Sequence, residues 1–391
     1  MGYFSDYLKA GLNQQQLERE RKAQLAKIAA IRGRDVLVFA ADASKGRLPI
    51  SIEFRDLTPI NDQLSNLSHA DIDLILETPG GSGETAEDIV KLLRGKFSKV
   101  GVIVPGMAKS AGTLIAMAAD EILMEPVSAL GPIDAQLLWQ GKVFSAGALI
   151  EGVEKIKKEV LTDGFLNKAY IPILQSVSPG ELQNAENALD FSQLLVREWL
   201  VKYKFKDWST HRSTGKPVTE DERRIRAAEI ASALCDHKHW KTHGRSIHIE
   251  ELRRMRLEIT DYSLDPALRE PIQRYQALLQ LTFEGNIYKL FETPTSLILR
   301  ADGGQRPGPP SGPRVAGGNL PKVQTAEADL GCGNCGTKIA VVARFSKDTP
   351  VPAGRIAWPQ GDTLQCPKCK ANIDLRVARQ QIEQQVGMPI V

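Results

Sequence analysis

The segment Val100-Gly101-Val102-Ile103-Val104-Pro105-Gly106-Met107-Ala108-Lys109-Ser110-Ala111-Gly112-Thr113-Leu114-Ile115-Ala116-Met117-Ala118-Ala119 changes its period in the middle. Residues 100–104 form a short continuous apolar run, the pattern of a strand buried on both faces. Pro105-Gly106 breaks the run, and helical spacing takes over from Ser110. Upstream the same grammar recurs. Ile72-Asp73-Leu74-Ile75-Leu76 reads as a strand and ends in Thr78-Pro79-Gly80-Gly81-Ser82-Gly83. Ala86, Ile89, Val90 and Leu93 then fall on one helical face. Adding the runs at 35–41 and 121–124 gives strand, loop, helix, strand, loop, helix, strand. That order predicts a mainly parallel α/β layer structure.

Working outward, Leu8, Leu12, Leu17, Leu25, Ile28 and Ile31 lie among Gln, Glu, Arg and Lys, which predicts an exposed amphipathic helix before the first strand. Residues 145–204 and 220–299 read as mostly helical, apart from a polar stretch between Cys235 and His248. Glycine and proline crowd residues 302–330, the composition of a linker. The expected organisation is an N-terminal amphipathic helix (1–34), an α/β core (35–210), a mainly helical extension (211–300), a Gly/Pro-rich linker (301–330) and a small terminal module (331–391).

The whole chain has 391 residues, 42% of them hydrophobic and 25% charged, with a formal net charge of +3. This composition excludes a disordered or fibrous chain and provides for more than one domain. So small a net charge gives no field that would drive wholesale binding to nucleic acid or acidic membranes. No apolar run is long enough to span a bilayer and the first residues lack a signal-peptide core, so a cytoplasmic protein is expected.

Two candidate sites emerge from residue types. Ser110 stands between a predicted strand and a predicted helix, with small neighbours Ala108, Ala111 and Gly112. There the unpaired N–H groups of a helix start can stabilise developing negative charge, which suits a nucleophile. The plain alternative is a helix-capping serine. Backbone N–H groups of the Gly80-Gly81 loop and of Ala111 would form an oxyanion site; a tight strand-to-helix turn explains the two glycines equally well. The second site is Cys332, Cys335, Cys366 and Cys369, two C-x-x-C pairs about 30 residues apart. Four thiolates satisfy tetrahedral zinc and would staple a module too small for much core, around a strand expected over 338–345. A closed four-cysteine shell leaves no position for catalysis. The module is weakly basic, compatible with a protein or a nucleic-acid partner.

Three ordered motifs carry a resemblance. They are Leu74-Ile75-Leu76-Glu77-Thr78-Pro79-Gly80-Gly81-Ser82, the run from Ala108 to Ile122, and Ala129-Leu130-Gly131-Pro132-Ile133-Asp134-Ala135-Gln136. Together they resemble the serine dehydrogenase proteinase family, which is similar to the Clp protease and signal peptide peptidase A groups and shares their Clp/crotonase fold. The resemblance implies an oligomeric serine peptidase with Ser110 as nucleophile and Gly80, Gly81 and Ala111 at the oxyanion site. No histidine lies between His69 and His211, where the Clp pattern would place one. The peptidase A groups use a lysine base instead, which desolvation can activate. Among Lys142, Lys155, Lys157, Lys158 and Lys168, the candidates are Lys155, by its separation from Ser110, and Lys168, by its surroundings; each also reads as a solvated helix lysine. Lys109, next to the serine, ranks last, because helix neighbours do not face each other. Asp134 and Gln136 fit a turn near the site.

Cys235, His237, His239 and His243 offer ligand types without a familiar metal spacing, so a structural or substrate-lining role is expected there. Two other classes remain open at this level. One is a non-catalytic assembly or adaptor protein whose zinc ribbon recruits a partner; the other is a crotonase-like acyl-CoA enzyme.

Overall fold

The computed structural model describes residues 2–139, 142–211 and 214–302 and, beyond them, 325–332, 334–346, 349–351, 355–376, 378–379, 382–383 and 389–390. The chain divides into two compact units, with the boundary in the Gly/Pro-rich segment. Residues 303–324, the bulk of the expected linker, lie outside the described residues.

The first unit begins with α1 (Tyr3–Ala10) and α2 (Gln14–Arg32), followed by β1 (Asp35–Ala41), α3 (Leu57–Ser65), β2 (Asp71–Glu77), α4 (Gly83–Lys96), β3 (Lys99–Val104), β4 (Met107–Ala108) and α5 (Ala111–Met117). Next come β5 (Glu121–Met124), β6 (Ala129–Leu130), the hairpin β7 (Gln136–Trp139) and β8 (Lys142–Ser145), α6 (Ala146–Asp163), α7 (Ile171–Gln175) and α8 (Pro179–Trp199). The unit closes with α9 (Glu220–Cys235), α10 (His237–Trp240), α11 (Ile249–Arg254), β9 (Thr260–Asp261), α12 (Pro266–Phe283), β10 (Ile287–Glu292) and β11 (Leu297–Ala301). The central sheet runs β11-β10-β1-β2-β3-β5-β9. Its members from β1 to β9 are parallel, whereas β10 runs antiparallel beside β1 and β11 antiparallel beside β10.

Alternate residues of the central strands supply two cores, as the pleat requires. Leu37, Phe39, Leu74, Leu76, Val102 and Val104 face a layer built from α3, α4, α5, α8 and α9. Val36, Val38, Ala40, Ile75 and Ile103 face α2 and α12 through Leu25, Ile28, Leu268, Ile272 and Leu279. The result is a three-layer α/β/α arrangement, the Clp/crotonase-like class expected from the motifs. Among the described residues no helix is long and apolar enough to cross a membrane.

Three expectations change. The N-terminal helix is two helices, and α2 is not an exposed surface element: Leu17, Arg21, Gln24, Leu25 and Ile28 are buried. Residues 211–300 are no separate helical extension, since α12 covers one face of the sheet and β9, β10 and β11 join it. Residues 287–301, read as helix, are strands. All six residues of Ile287-Tyr288-Lys289-Leu290-Phe291-Glu292 are buried, and the two charges that spoil the apolar pattern are matched from afar. Arg21 Nε meets Glu292 Oε2 at 2.9 Å, Tyr275 donates to the same oxygen, and Lys289 Nζ meets Asp56 Oδ2 at 2.9 Å.

The second unit is small. It contains β12 (Thr325–Gly331) antiparallel to β13 (Lys338–Arg344), a parallel β14 (Ile356–Ala357), and the hairpin β15 (Thr363–Gln365) and β16 (Asn372–Asp374). The strand expected over 338–345 is thus β13. Val341, Ala343, Trp358, Leu364 and Leu375 pack with Cys332 and Cys366 into a single small cluster.

Candidate active site and cysteine cluster

The loops after β2 and β3 meet at the carboxyl ends of the parallel strands, where α/β sheets bind ligands. Thr78 N–H donates to Met107 O at 2.8 Å and Lys109 N–H to Thr78 O at 3.0 Å, which zips the two loops together. Ser110 follows with φ 49° and ψ −116°, in positive-φ space that residues other than glycine rarely occupy. It stands at the start of α5 but its hydroxyl makes no capping hydrogen bond. The capping alternative therefore does not describe this serine. A strained backbone that presents an uncapped hydroxyl at a strand-to-helix turn is the form of a nucleophile elbow.

Gly80 and Gly81 have φ of 108° and 152°. A Cβ on Gly80 would lie 2.7 Å from the Ser110 Cβ, and one on Gly81 would lie 2.3 Å from Ile52 O. Only glycine permits this approach. Gly80 O accepts from Ile52 N–H and Ser82 N–H donates to Ile52 O, so the intervening Gly81 N–H is turned away from Ile52. The Gly80 N–H is itself engaged by Thr78 Oγ1 at 3.1 Å. Gly81 and Ala111 are therefore the better pair of donors, and Gly80 shapes the space between them.

Ser110, Gly80, Gly81 and Ala111 line one cavity of about 340 Å³, together with Ile133, Asp134, Gln136, Phe191 and His243. His243 Nδ1 lies 2.7 Å from Asp134 Oδ1, and Gln136 Nε2 donates to Asp134 Oδ2 at 2.9 Å. The Asp134 side chain is buried, whereas His243 is partly open to the cavity. With Nδ1 committed to the carboxylate, Nε2 is the nitrogen available for proton transfer. His243 is held by a strap rather than by a helix: Ile247 exchanges two backbone hydrogen bonds with Leu130 of β6, both 3.0 Å long. Lys109 Nζ donates to Arg245 O at 3.0 Å and to Ser246 Oγ at 2.9 Å. Burial lowers the Lys109 amine to about 8.

Lys155 and Lys168 are exposed, one on α6 and the other in the turn before α7, and neither lines the Ser110 cavity. The cavity instead holds a histidine, His243, paired with a buried carboxylate, an arrangement the sequence contains but does not connect. His243 and Asp134 are 109 positions apart, yet each stood in a segment already singled out, His243-Gly244-Arg245 and Gly131-Pro132-Ile133-Asp134. The other members of the histidine-rich stretch do not gather around a metal. His237 pairs with Glu151, Cys235 Sγ faces Ile133 O, and burial pushes the Cys235 thiol up to about 12.

Glu77 stands at the end of β2, beneath the two loops. Its buried carboxylate accepts the Met107 N–H and the Gln276 amide, both at 3.2 Å from Oε2. Burial lifts this carboxyl to about 7 against the pull of those donors.

In the second unit the Sγ atoms of Cys332, Cys335, Cys366 and Cys369 all lie within 4.8 Å of one another. Four sulfurs at about 2.3 Å from a tetrahedral zinc would stand about 3.8 Å apart, so the donor set fits. Backbone N–H groups of Ala371 and of Cys369 point at Cys369 and Cys366 respectively, holding both thiols below their ordinary range, Cys369 at about 6.

Residues 7–182 match the family described as ClpP-like SDH-type serine proteinases. Two uncharacterised proteins of Methanocaldococcus jannaschii are similar, one 33% identical over 156 residues and the other 40% identical over 94. The aligned parts are 39% and 23% of this chain and span 50% and 31% of those relatives. Among solved structures, a mutant of the 1510-N membrane-bound stomatin-specific protease is 16% identical with a TM-score of 0.31, covering 56% of this chain and 79% of that one. The ClpP protease catalytic domain from Plasmodium falciparum is 19% identical with a TM-score of 0.20, covering 27% of this chain and 57% of that one.

Proposed function

We propose, from the match of residues 7–182 to the ClpP-like SDH-type serine proteinases and from the site geometry, that the protein is a serine peptidase with a Ser110–His243–Asp134 triad. Ser110 Oγ attacks the carbonyl carbon of a peptide bond while His243 Nε2 takes its proton. Asp134 holds the imidazole by Nδ1 and stabilises the imidazolium. The carbonyl oxygen gains negative charge and is received by the Gly81 and Ala111 N–H groups. His243 returns the proton to the leaving amine, and water then releases the acyl group by the same route. The observation that carries this reading is the 2.7 Å His243–Asp134 contact in the cavity that Ser110 lines.

A fluorophosphonate probe tests it, with the adduct mapped by mass spectrometry on wild type, Ser110→Ala and His243→Ala. Wild type should be modified at Ser110 alone and Ser110→Ala not at all, with His243→Ala slower by roughly 10³-fold. A folded wild type that takes no label would overturn the assignment, and a His243→Ala variant as reactive as wild type would return the base to a lysine.

The terminal unit is read as a structural zinc ribbon held by Cys332, Cys335, Cys366 and Cys369, with a binding role toward a protein or nucleic-acid partner. Metal analysis should give one zinc per chain, lost in Cys366→Ser. Assembly into a homo-oligomer is supported by the apolar side chains that α6 and the following turn leave in solvent, Leu161 at 78% and Phe165 at 67% exposure. A cytoplasmic setting is consistent with this reading.

A further inference from the structure

The side chain of Lys109 belongs to neither the nucleophile nor the oxyanion donors, yet it lies between the two halves of the site. It leaves the chain one residue before Ser110 and crosses to the strap that carries His243. There its Nζ donates to Arg245 O at 3.0 Å, to Ser246 Oγ at 2.9 Å and, more weakly, to Gly244 O at 3.3 Å. These are the three residues that follow His243. The fold makes room for the stem: a Cβ on Gly131 would lie 2.8 Å from Lys109 Cδ and 3.4 Å from its Cα. Gly131 is itself fixed from the other side, because Thr113 Oγ1 accepts its N–H at 2.9 Å while donating to Ala108 O at 2.8 Å.

We propose that Lys109 is a positioning residue, a tether that locks the His243 strap onto the nucleophile elbow and so fixes the imidazole relative to Ser110. The proposal rests on the triad reading given above. Without Lys109 the strap keeps its backbone pairing at Ile247, four residues past His243, but loses every side-chain hold on residues 244–246 supplied by the elbow. The ammonium donates charge-assisted bonds, roughly twice as strong as neutral ones. Small displacements of a proton acceptor from its donor are costly: about 1 Å can cost about 10²-fold in rate. Lys109 does not act as the base itself, since its nitrogen is spent on the strap.

The test uses full-length protein and two readouts. The first is the second-order rate of fluorophosphonate modification at Ser110 in wild type, Lys109→Met, Lys109→Arg, His243→Ala and the Lys109→Met/His243→Ala double variant. Lys109→Met keeps the apolar stem and should react about 10- to 100-fold more slowly. Lys109→Arg, which can still reach the carbonyls with a cation, should recover most of that loss. Adding Lys109→Met to His243→Ala should cost nothing further, because the tether acts only through the imidazole. Independent, multiplying losses in the double variant, or a Lys109→Met rate equal to wild type, would overturn the proposal. The second readout needs no catalysis. The Nδ1 proton shared by His243 and Asp134 should give a downfield proton resonance in wild type, absent in His243→Ala and broadened by exchange in Lys109→Met. An unchanged resonance in Lys109→Met overturns the tether, whatever the labelling shows. An intact wild-type resonance that Lys109→Met broadens, in a protein that never takes label, overturns the peptidase reading and leaves the tether standing.

Discussion

Glu77 and Glu292 are carboxylates buried in the same sheet, on β2 and β10, and they are accommodated in opposite ways. Glu292 meets a guanidinium, Arg21, along two hydrogen bonds of 2.9 and 3.0 Å, and Lys289 on the same strand meets Asp56. Glu77 meets amides only, the Met107 N–H and Gln276 Nε2. Burial pushes both carboxyls up, but only at Glu292 does a cation pull back. The difference tracks position. Paired charges fasten a late strand where the fold must close, whereas the unpaired one lies beneath the two loops that build the candidate site. A fully paired charge is costly to break and does little else; an amide-held carboxyl keeps its proton equilibrium within reach of neutral pH.

The largest expected effect comes from breaking a pair. Arg21→Met leaves Glu292 buried without its cation and should lower the unfolding free energy by about 3–5 kcal/mol, read from urea denaturation at pH 7. A loss below about 1 kcal/mol would mean that the strand does not depend on this pairing. Next in size is the pH response of Glu77. Its pKa in the fold, about 7, exceeds its ordinary value of 4.5, so the folded chain binds the additional proton between these values. Stability from this group is therefore present at low pH and declines as pH rises from about 4.5 to 7, by about 3 kcal/mol in total. Glu77→Gln cannot titrate, and the difference between its stability profile and that of wild type should show this slope; parallel profiles would place the Glu77 pKa near its ordinary value. The smallest effect should come from removing a pair whole. Lys289→Met with Asp56→Asn discards both charges, and the double variant should lose less stability than either single change. Additive losses would show that the two side chains contribute separately.

How much of this was legible in the sequence follows the same division. Strands β1, β2, β3 and β5 announce themselves as apolar runs, and the loops after β2 and β3 by Pro79-Gly80-Gly81 and Lys109-Ser110-Ala111-Gly112. The elbow is local, so the candidate nucleophile, its glycine neighbours and the cysteine pairs could all be named from residue order. Strand β10 could not, because Lys289 and Glu292 interrupt the pattern that a buried strand should have, and their partners are 233 and 271 residues away. The His243–Asp134 pairing was hidden for the same reason. His243 was read with Cys235 and His239 beside it in sequence, while its true partner, Asp134, arrives by way of Leu130 pairing with Ile247. Residue type gave the chemistry of each half, and only the topology joined them.

The late place of that strap in the chain bears on biosynthesis. A ribosome making this protein releases Ser110 and the glycine loop long before residue 243, and β10 and β11, the strands that cover the outer edge of β1, come later still. Under the triad assigned here, a nascent chain carries a nucleophile without a base for more than a hundred codons. Under the proposed triad, the order of translation would act as a safety catch, withholding hydrolytic power until the fold that must contain it has been delivered.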